Sequence, residues 1–221
     1  MKELFVNDFV SHYHISSPDL VADEYELVDN PVELKDSEGS PLAKIGDGQL
    51  RMHNVDGGIN AFAYDRFISS YKKPQSFQRG RKRCDWVLTS RDTNQLVCLV
   101  EFTSSLGNIG NLSKPISDGS TSFAGGKMEK AEIQLSESLE TMMAVPTIAT
   151  KFNAASHRVC LTAYRISPIT NPVVRMRYPD QRYKLIEARE TGDKGAIISM
   201  PSIEQQGFEY RRVAYPTLLK L

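Results

Sequence analysis

Two acidic residues, Asp85 and Glu101, lie in strand-like segments that only a short turn separates. Asp85 is the second residue of CDWVLTS, and Glu101 lies near the end of QLVCLVEF, with Arg-Asp-Thr-Asn at 91–94 between the two segments. This composition is typical of a β-hairpin. If residues 91–95 form the loop, position 85 lies opposite position 101, where opposed Cβ atoms are about 5 Å apart. Two carboxylates this close repel each other unless a proton or a cation compensates the charge.

The alternation of side chains along the two strands predicts the surroundings of these acids. One face is wholly apolar and carries Cys84, Trp86, Leu88, Leu96, Cys98, Val100 and Phe102. The other face is apolar near the turn and acidic at the open end, with Asp85, Val87, Thr89, Val97, Leu99, Glu101 and Thr103. We therefore expect the two carboxylates to lie together at the open end of the hairpin.

A divalent cation is the usual compensation for such a pair. Mg²⁺ and Mn²⁺ take carboxylate oxygens and keep waters for substrate phosphates, and a metal so held can promote phosphodiester hydrolysis. Two other interpretations stay open. Asp85 could pair with Arg81 or Arg83 while Glu101 is an ordinary strand-end residue, and a one-residue register slip would place the two acids on different faces.

A basic segment precedes the hairpin and suits a polyanionic partner. Six cations occur within twelve residues, namely Lys72, Lys73, Arg79, Arg81, Lys82 and Arg83. Clusters of this kind bind phosphates of nucleic acids, and the affinity then falls with salt. A solvated basic loop is the alternative.

The order of these features resembles the PD-(D/E)XK restriction-endonuclease-like superfamily. The resemblance rests on Asp85, on Glu101-Phe102-Thr103, on a helix over 127–145 and on a strand over 158–166. It covers about residues 59–166. The resemblance implies that Asp85, Glu101 and the backbone carbonyl of Phe102 bind Mg²⁺ or Mn²⁺, and that the chain hydrolyses nucleic acid, DNA being the expected substrate.

The chain departs from the superfamily's motif at two positions. Cys84 replaces a proline, and Thr103 stands where the motif has its catalytic lysine. Some members of the superfamily carry this lysine on the following helix. At 100° per residue, Lys127 and Gln134 share one edge of the apolar stripe of that helix, so Lys127 is the first candidate and Lys130 the second, and Gln134 is expected to help hold the substrate or the site. Solvated lysines at a helix start are the alternative for either one.

An acid on an earlier helix often joins sites of this kind. Asp65, within AFAYDRF, is the candidate for a further metal ligand, and a solvent-facing helical aspartate is the alternative.

The apolar periodicities predict the elements that position these residues. We expect short strands and turns over 31–58, helices over 59–71 and 127–145, a Gly/Ser/Asn-rich loop at about 105–126 and a strand at 158–166. Four β-type segments follow, PVVRMRY, RYKLIEA, GAIISM and FEYRRVAY. The fold class is therefore α/β (α+β), a central mixed sheet flanked by helices. We expect one domain over 1–221, with a β-rich C-terminal elaboration at about 167–221.

The composition is that of an ordinary globular protein. Of the 221 residues 40% are hydrophobic and 24% charged, and 27 basic residues balance 27 acidic ones, so any basic patch must be local. The three cysteines are widely spaced and lie in apolar runs, which favours a reducing compartment. We find neither a signal peptide nor a membrane span and expect a cytoplasmic protein. A homodimer is possible for this type of enzyme.

The sequence thus predicts a divalent-metal-dependent nuclease. The rival hypothesis is a catalytically inactive protein that keeps the nuclease fold as a nucleic-acid-binding or assembly module, and Thr103 is the residue that favours it.

Overall fold

A mixed β-sheet of seven strands forms the centre of the fold. The computed structural model describes residues 1–15, 20–37, 39–70, 82–103, 113–115, 123–125, 127–165 and 192–221. In chain order the strands are β1 (Glu24–Leu27), β2 (Val32–Leu34), β3 (Leu50–Met52), β4 (Ile59–Ala63), β5 (Trp86–Ser90), β6 (Leu96–Thr103), β7 (Ser113–Pro115), β8 (Phe123–Gly125), β9 (His157–Arg165), β10 (Ala196–Ile198), β11 (Glu209–Tyr215) and β12 (Leu218–Leu219).

The large sheet has the order β1-β4-β5-β6-β9-β11-β10. Its centre is parallel, because β9 pairs in parallel with both β6 and β11, whereas the remaining neighbours are antiparallel. A smaller sheet has the order β12-β3-β2, and β7 and β8 form a two-stranded ribbon.

The helices lie on one face of the large sheet. They are an N-terminal π-helix (Leu4–Phe9), α1 (Val10–His12), α2 (Tyr64–Ser69), α3 (Lys127–Met143), α4 (Pro146–Asn153) and α5 (Pro201–Glu204). Phe5, Leu135 and Phe152 from these helices pack in one buried cluster with Val87 and Leu99 of the sheet.

The small sheet covers the opposite face. Leu34 and Met52 pack there in a second buried cluster with Leu88, Cys98 and Leu161 of the large sheet. Because β5, β6 and β9 are covered on both faces, they read as nearly continuous apolar runs, as is typical of buried strands.

The predicted mixed α/β sheet, the β5–β6 hairpin, the helix α3 and the strand β9 are confirmed. The predicted helix over 59–71 is wrong in its first half, because Ile59–Ala63 is the strand β4, paired with β1 and β5, and only Tyr64–Ser69 is helical. The reason is burial on both faces: Ala61 and Phe62 point to opposite sides, yet both are inaccessible to solvent. A strand buried in this way loses the two-residue alternation by which it would be recognised.

The expected C-terminal elaboration supplies two strands of the central sheet. GAIISM contains β10 and FEYRRVAY contains β11, which pairs with β9 along its whole length. PVVRMRY and RYKLIEA lie outside the described residues. All three cysteines are buried without disulfide bonds, as expected for small apolar side chains. Among the described residues, no helix has the length and apolar character needed to cross a bilayer.

Candidate functional site

The hairpin has the register that brings Asp85 and Glu101 together. Trp86 pairs with Val100, and Thr89 pairs with Val97. Asp85 immediately precedes this ladder, and its N–H donates to the carbonyl of Val100, the partner of Trp86, at 3.1 Å. The predicted register is therefore confirmed over residues 86–89 and 97–100, and it brings Asp85 next to the strand end that carries Glu101.

Four hydrogen bonds fix Asp85 at the point where the chain enters β5. In addition to the bond from its N–H to Val100, its carbonyl accepts the N–H of Tyr64 at 3.0 Å and that of Asp65 at 3.4 Å, and its Oδ2 accepts the N–H of Phe102 at 2.7 Å. The last bond directs the carboxylate at the strand end that carries Glu101. Because residue 85 precedes the first strand position, Cys84 packs on the helical side with Val87, and the prediction that it shares a face with Trp86 is wrong.

Glu101 is buried and incompletely satisfied. The residue is 6% exposed, and its Oε2 is inaccessible to solvent and has no hydrogen-bond partner among the described residues. A buried carboxylate oxygen without a partner is unfavourable, more so when the group is charged. This oxygen is where a compensating cation would be most effective.

The surroundings of the two acids raise the pKa of both carboxyls. Burial is the largest cause in each case. For Glu101 the charge of Asp85 adds to the rise in pKa, and for Asp85 the hydrogen bond from Phe102 opposes it. The charge of Lys130 lowers the pKa of both groups.

Asp65 is bound to an arginine. Its Oδ1 accepts a hydrogen bond from Nε of Arg83 at 2.8 Å, and Nη2 of Arg83 also contacts Oγ of Ser69 at 3.2 Å. Arg83 therefore neutralises Asp65 and is not the partner of Asp85. Arg81, the other proposed partner of Asp85, lies outside the described residues.

A cavity of about 340 Å³ opens beside Asp85. Asp36, Asp65, Asp85 and Trp86 are among its lining residues. Asp36, which reasoning from the sequence missed, follows β2, and its N–H donates to Oε1 of Gln49 at 2.6 Å. No signal in the turn-rich segment PVELKDSEG distinguishes it from a surface acid. Among the described residues no three His, Cys, Asp or Glu side chains are grouped so as to hold a metal ion, so a metal here depends on the pair and on backbone or water oxygens.

Helix α3 holds the segment that leads into Asp85. Nε2 of Gln134 donates to the carbonyl of Arg83 at 2.7 Å, and Oγ of Ser138 accepts the N–H of Cys84 at 2.7 Å. Both contacts satisfy backbone groups just before β5. Gln134, predicted as a site residue, thus positions the Asp85 segment, and Ser138, one turn further along, was missed because a helical serine carries no distinguishing pattern.

The predicted cations have different outcomes. Lys130 is exposed, and its charge lowers the pKa of both carboxyls. Lys127 is the first residue of α3, and its side chain lies outside the described part of the chain. Lys82 is exposed, and its N–H donates to Glu137. The other members of the basic segment, Lys72, Lys73, Arg79 and Arg81, lie outside the described residues. Thr103 is 7% exposed and pairs with Tyr164 of β9, so the strand position of the missing lysine is a buried hydroxyl.

Comparisons with protein-family models, with curated proteins and with solved structures gave no significant match.

Proposed function

We propose that this chain is a divalent-metal-dependent nuclease in which Asp85 and Glu101 bind Mg²⁺ or Mn²⁺ at the open end of the β5–β6 hairpin. The observation that carries the proposal is the acid pair at the open end of the hairpin, in which Asp85 is half-buried, Glu101 is buried, and Oε2 of Glu101 has no hydrogen-bond partner among the described residues. Such a pair is unfavourable by itself and becomes favourable when a cation binds between its members.

The donor set suits a hard cation. Both side chains offer oxygen, and a third oxygen lies close by, because the N–H and C=O of a strand residue point toward the same neighbouring strand. The N–H of Phe102 points to Asp85, so the carbonyl of Phe102 also lies on the Asp85 side of β6. Three protein oxygens leave room for waters, an arrangement that Mg²⁺ favours. When bound, the metal supplies Lewis acidity toward a phosphodiester.

Lys130 is the cation that would serve in place of a strand lysine. It is the fourth residue of α3, its charge lowers the pKa of both Asp85 and Glu101, and its exposure leaves it accessible to substrate. A lysine in this position binds a phosphate oxygen and stabilises negative charge as it develops. The basic segment at 72–83, directly before the hairpin, supports a polyanionic substrate, with DNA as the proposed form.

The second candidate function is a binding or assembly module that keeps this fold without catalysis. The buried Thr103 favours it, because the hydroxyl cannot supply the positive charge that the motif normally has at this position. The nuclease requires a metal ion at the acid pair and the inactive module does not, so a measurement of metal binding distinguishes the two functions.

Calorimetric titration with Mn²⁺ tests the proposal. The wild-type chain is expected to bind Mn²⁺ with release of protons, because carboxyls with a raised pKa must ionise to coordinate a metal. Asp85→Asn is expected to abolish the binding. Asp92→Asn is the matched control, since Asp92 is exposed at the opposite end of the same hairpin and should leave the titration unchanged. Absence of binding to the wild-type chain contradicts the nuclease assignment and favours the inactive module.

Substitution of Lys130 is expected to reduce cleavage without reducing metal affinity. Lys130→Gln removes the charge next to the carboxylate pair and should lower kcat by about 10²-fold, the usual scale for one stabilising group in an active site. Cleavage of a DNA substrate and Mn²⁺ titration are measured on the same preparation. Lys127→Gln is compared in parallel, and a larger loss for Lys127 than for Lys130 would show that the helix lysine closest to the chemistry is Lys127.

A further inference from the structure

A second polar cluster lies two strands away from Glu101 on the same face of the sheet. Glu101 pairs with Thr162 of β9, and Thr162 pairs with Arg212 of β11. Residues paired across neighbouring strands project from the same face. With strands about 4.8 Å apart, the Cα of Arg212 lies about 10 Å from that of Glu101.

Two described contacts hold the guanidinium of Arg212. Its Nε donates to the hydroxyl of Tyr210 at 3.1 Å, and its Nη2 forms an ion pair with Glu132 of α3. Tyr210 is itself fully buried and shares a hydrogen bond of 3.0 Å with Thr162. The orientation of Arg212 is therefore set on the sheet side by the buried hydroxyls of Tyr210 and Thr162 and on the helix side by Glu132 of α3, the helix that also carries Lys130.

The arginine is accessible as well as oriented. Its side chain is 23% exposed, and the two contacts use only part of the five N–H donors of a guanidinium. Arg212 lies on the same face of the sheet as Glu101, and its ion pair is with Glu132 rather than with either member of the acid pair.

We propose that Arg212 binds a phosphate of the nucleic acid that flanks the one at the Asp85–Glu101 pair. This inference rests on the proposed function and assigns to the same site a second anchoring point for the strand. The planar guanidinium, already fixed on two sides, suits a bidentate contact with phosphate oxygens. Tyr210 is then a positioning residue that acts through Arg212.

The competing explanation is a structural clamp, in which the Arg212–Glu132 ion pair holds α3 on the sheet. The two explanations make opposite predictions for Glu132. If Arg212 binds phosphate, Glu132 competes with the nucleic acid, and Glu132→Gln leaves binding unchanged or strengthens it. If the pair is a clamp, Arg212→Gln and Glu132→Gln weaken the fold equally.

Salt-dependent binding of a fluorescein-labelled DNA oligonucleotide, single-stranded and duplex, tests the inference. The titrations are made in Ca²⁺, a hard cation that fills carboxylate sites. Arg212→Gln is expected to weaken binding by about tenfold and to reduce the slope of log affinity against log salt by about one phosphate contact. Arg211→Gln is the matched control, since the neighbouring Arg211 projects from the opposite face and contacts Glu209.

Each outcome decides the assignment. An unchanged salt slope for Arg212→Gln, or equal losses for Arg212→Gln and Glu132→Gln together with equal falls in Tm, overturns the phosphate contact. Binding of Mn²⁺ by the wild-type chain would in that case keep the metal site intact. Failure of the wild-type chain to bind the oligonucleotide in either form overturns the contact and the nucleic-acid substrate together, again independently of metal binding.

Discussion

Glu101→Gln is expected to abolish metal-dependent cleavage, with kcat/KM falling by about 10³-fold or more. The substitution keeps the size of the side chain but removes the negative charge that a divalent cation needs. The site then has one carboxylate, that of Asp85, next to a neutral amide, and such a pair binds hard cations weakly. The loss is measured as initial rates of DNA cleavage over a series of Mg²⁺ and Mn²⁺ concentrations.

Glu33→Gln is the matched control, because Glu33 is the other buried glutamate of the described chain and is 5% exposed. Unlike Glu101, it is well partnered: Oε2 accepts the N–H of Gly46 at 2.9 Å and the hydroxyl of Tyr215 at 3.2 Å, and Oε1 lies 3.5 Å from Nε of Arg51. Its loss should lower Tm while the rate at full metal occupancy stays within a few-fold of wild type. Cleavage that survives in Glu101→Gln at saturating metal would remove Glu101 from the site.

The acid pair could be predicted from the sequence because its geometry is local. The turn at 91–94 fixes the loop length, and the alternation in CDWVLTS and QLVCLVEF then fixes the register, so positions 85 and 101 follow by counting. The helix α3 could be predicted from the sequence as well, since Leu135 and Leu139 recur at helical spacing. Both predictions required only contacts between residues close in sequence.

The remaining parts of the site depend on contacts between distant segments. Asp36 reaches the Asp85 cavity from the turn after β2, and Arg212 reaches the face of Glu101 only because β9 pairs in parallel with both β6 and β11. Parallel pairing joins strands that are separated by a long crossover, and no short-range pattern encodes which strand will be the neighbour. The same limitation hid β4, whose burial on both faces removed its period.

Without metal, the acid pair is expected to make the folded chain less stable as pH rises. The carboxyls of Asp85 and Glu101 ionise near pH 4 in an unfolded chain. In the folded state burial raises the pKa of both, and nearby carboxylates add to the rise, Asp36 and Asp65 for Asp85 and Asp85 for Glu101. At pH values between the unfolded and the folded pKa values of these carboxyls, the folded chain holds more protons than the unfolded chain. The free energy of unfolding therefore falls with increasing pH. Stability from this source is complete below about pH 4 and is lost as pH rises through the folded pKa values.

Urea unfolding in EDTA across the range from acid to mildly alkaline pH measures this effect. Other ionisable groups also contribute, so the informative quantity is the difference between wild type and Glu101→Gln at each pH. The wild-type chain should lose stability relative to the variant as pH increases, because the variant has one carboxyl fewer to ionise and less repulsion at Asp85. A difference that stays constant with pH would show that the pKa of Glu101 is not raised in the folded chain.

Divalent metal is expected to reverse this loss of stability. A cation between the carboxylates binds the ionised folded state and not the unfolded chain, so at 100 times its Kd it adds about 2.7 kcal/mol, which for a chain of this size raises Tm by about 5–10 °C. The gain should grow with pH, since at low pH protons compete with the metal for the same oxygens. Asp92→Asn should respond to Mn²⁺ as wild type does, and Glu101→Gln should not respond. An equal rise in Tm for wild type and Glu101→Gln would place the bound metal elsewhere on the chain. The proposed site thus exchanges protons for a cation at one pair of oxygens, and the pH dependence of the metal effect reports that exchange without any need for a cleavage assay.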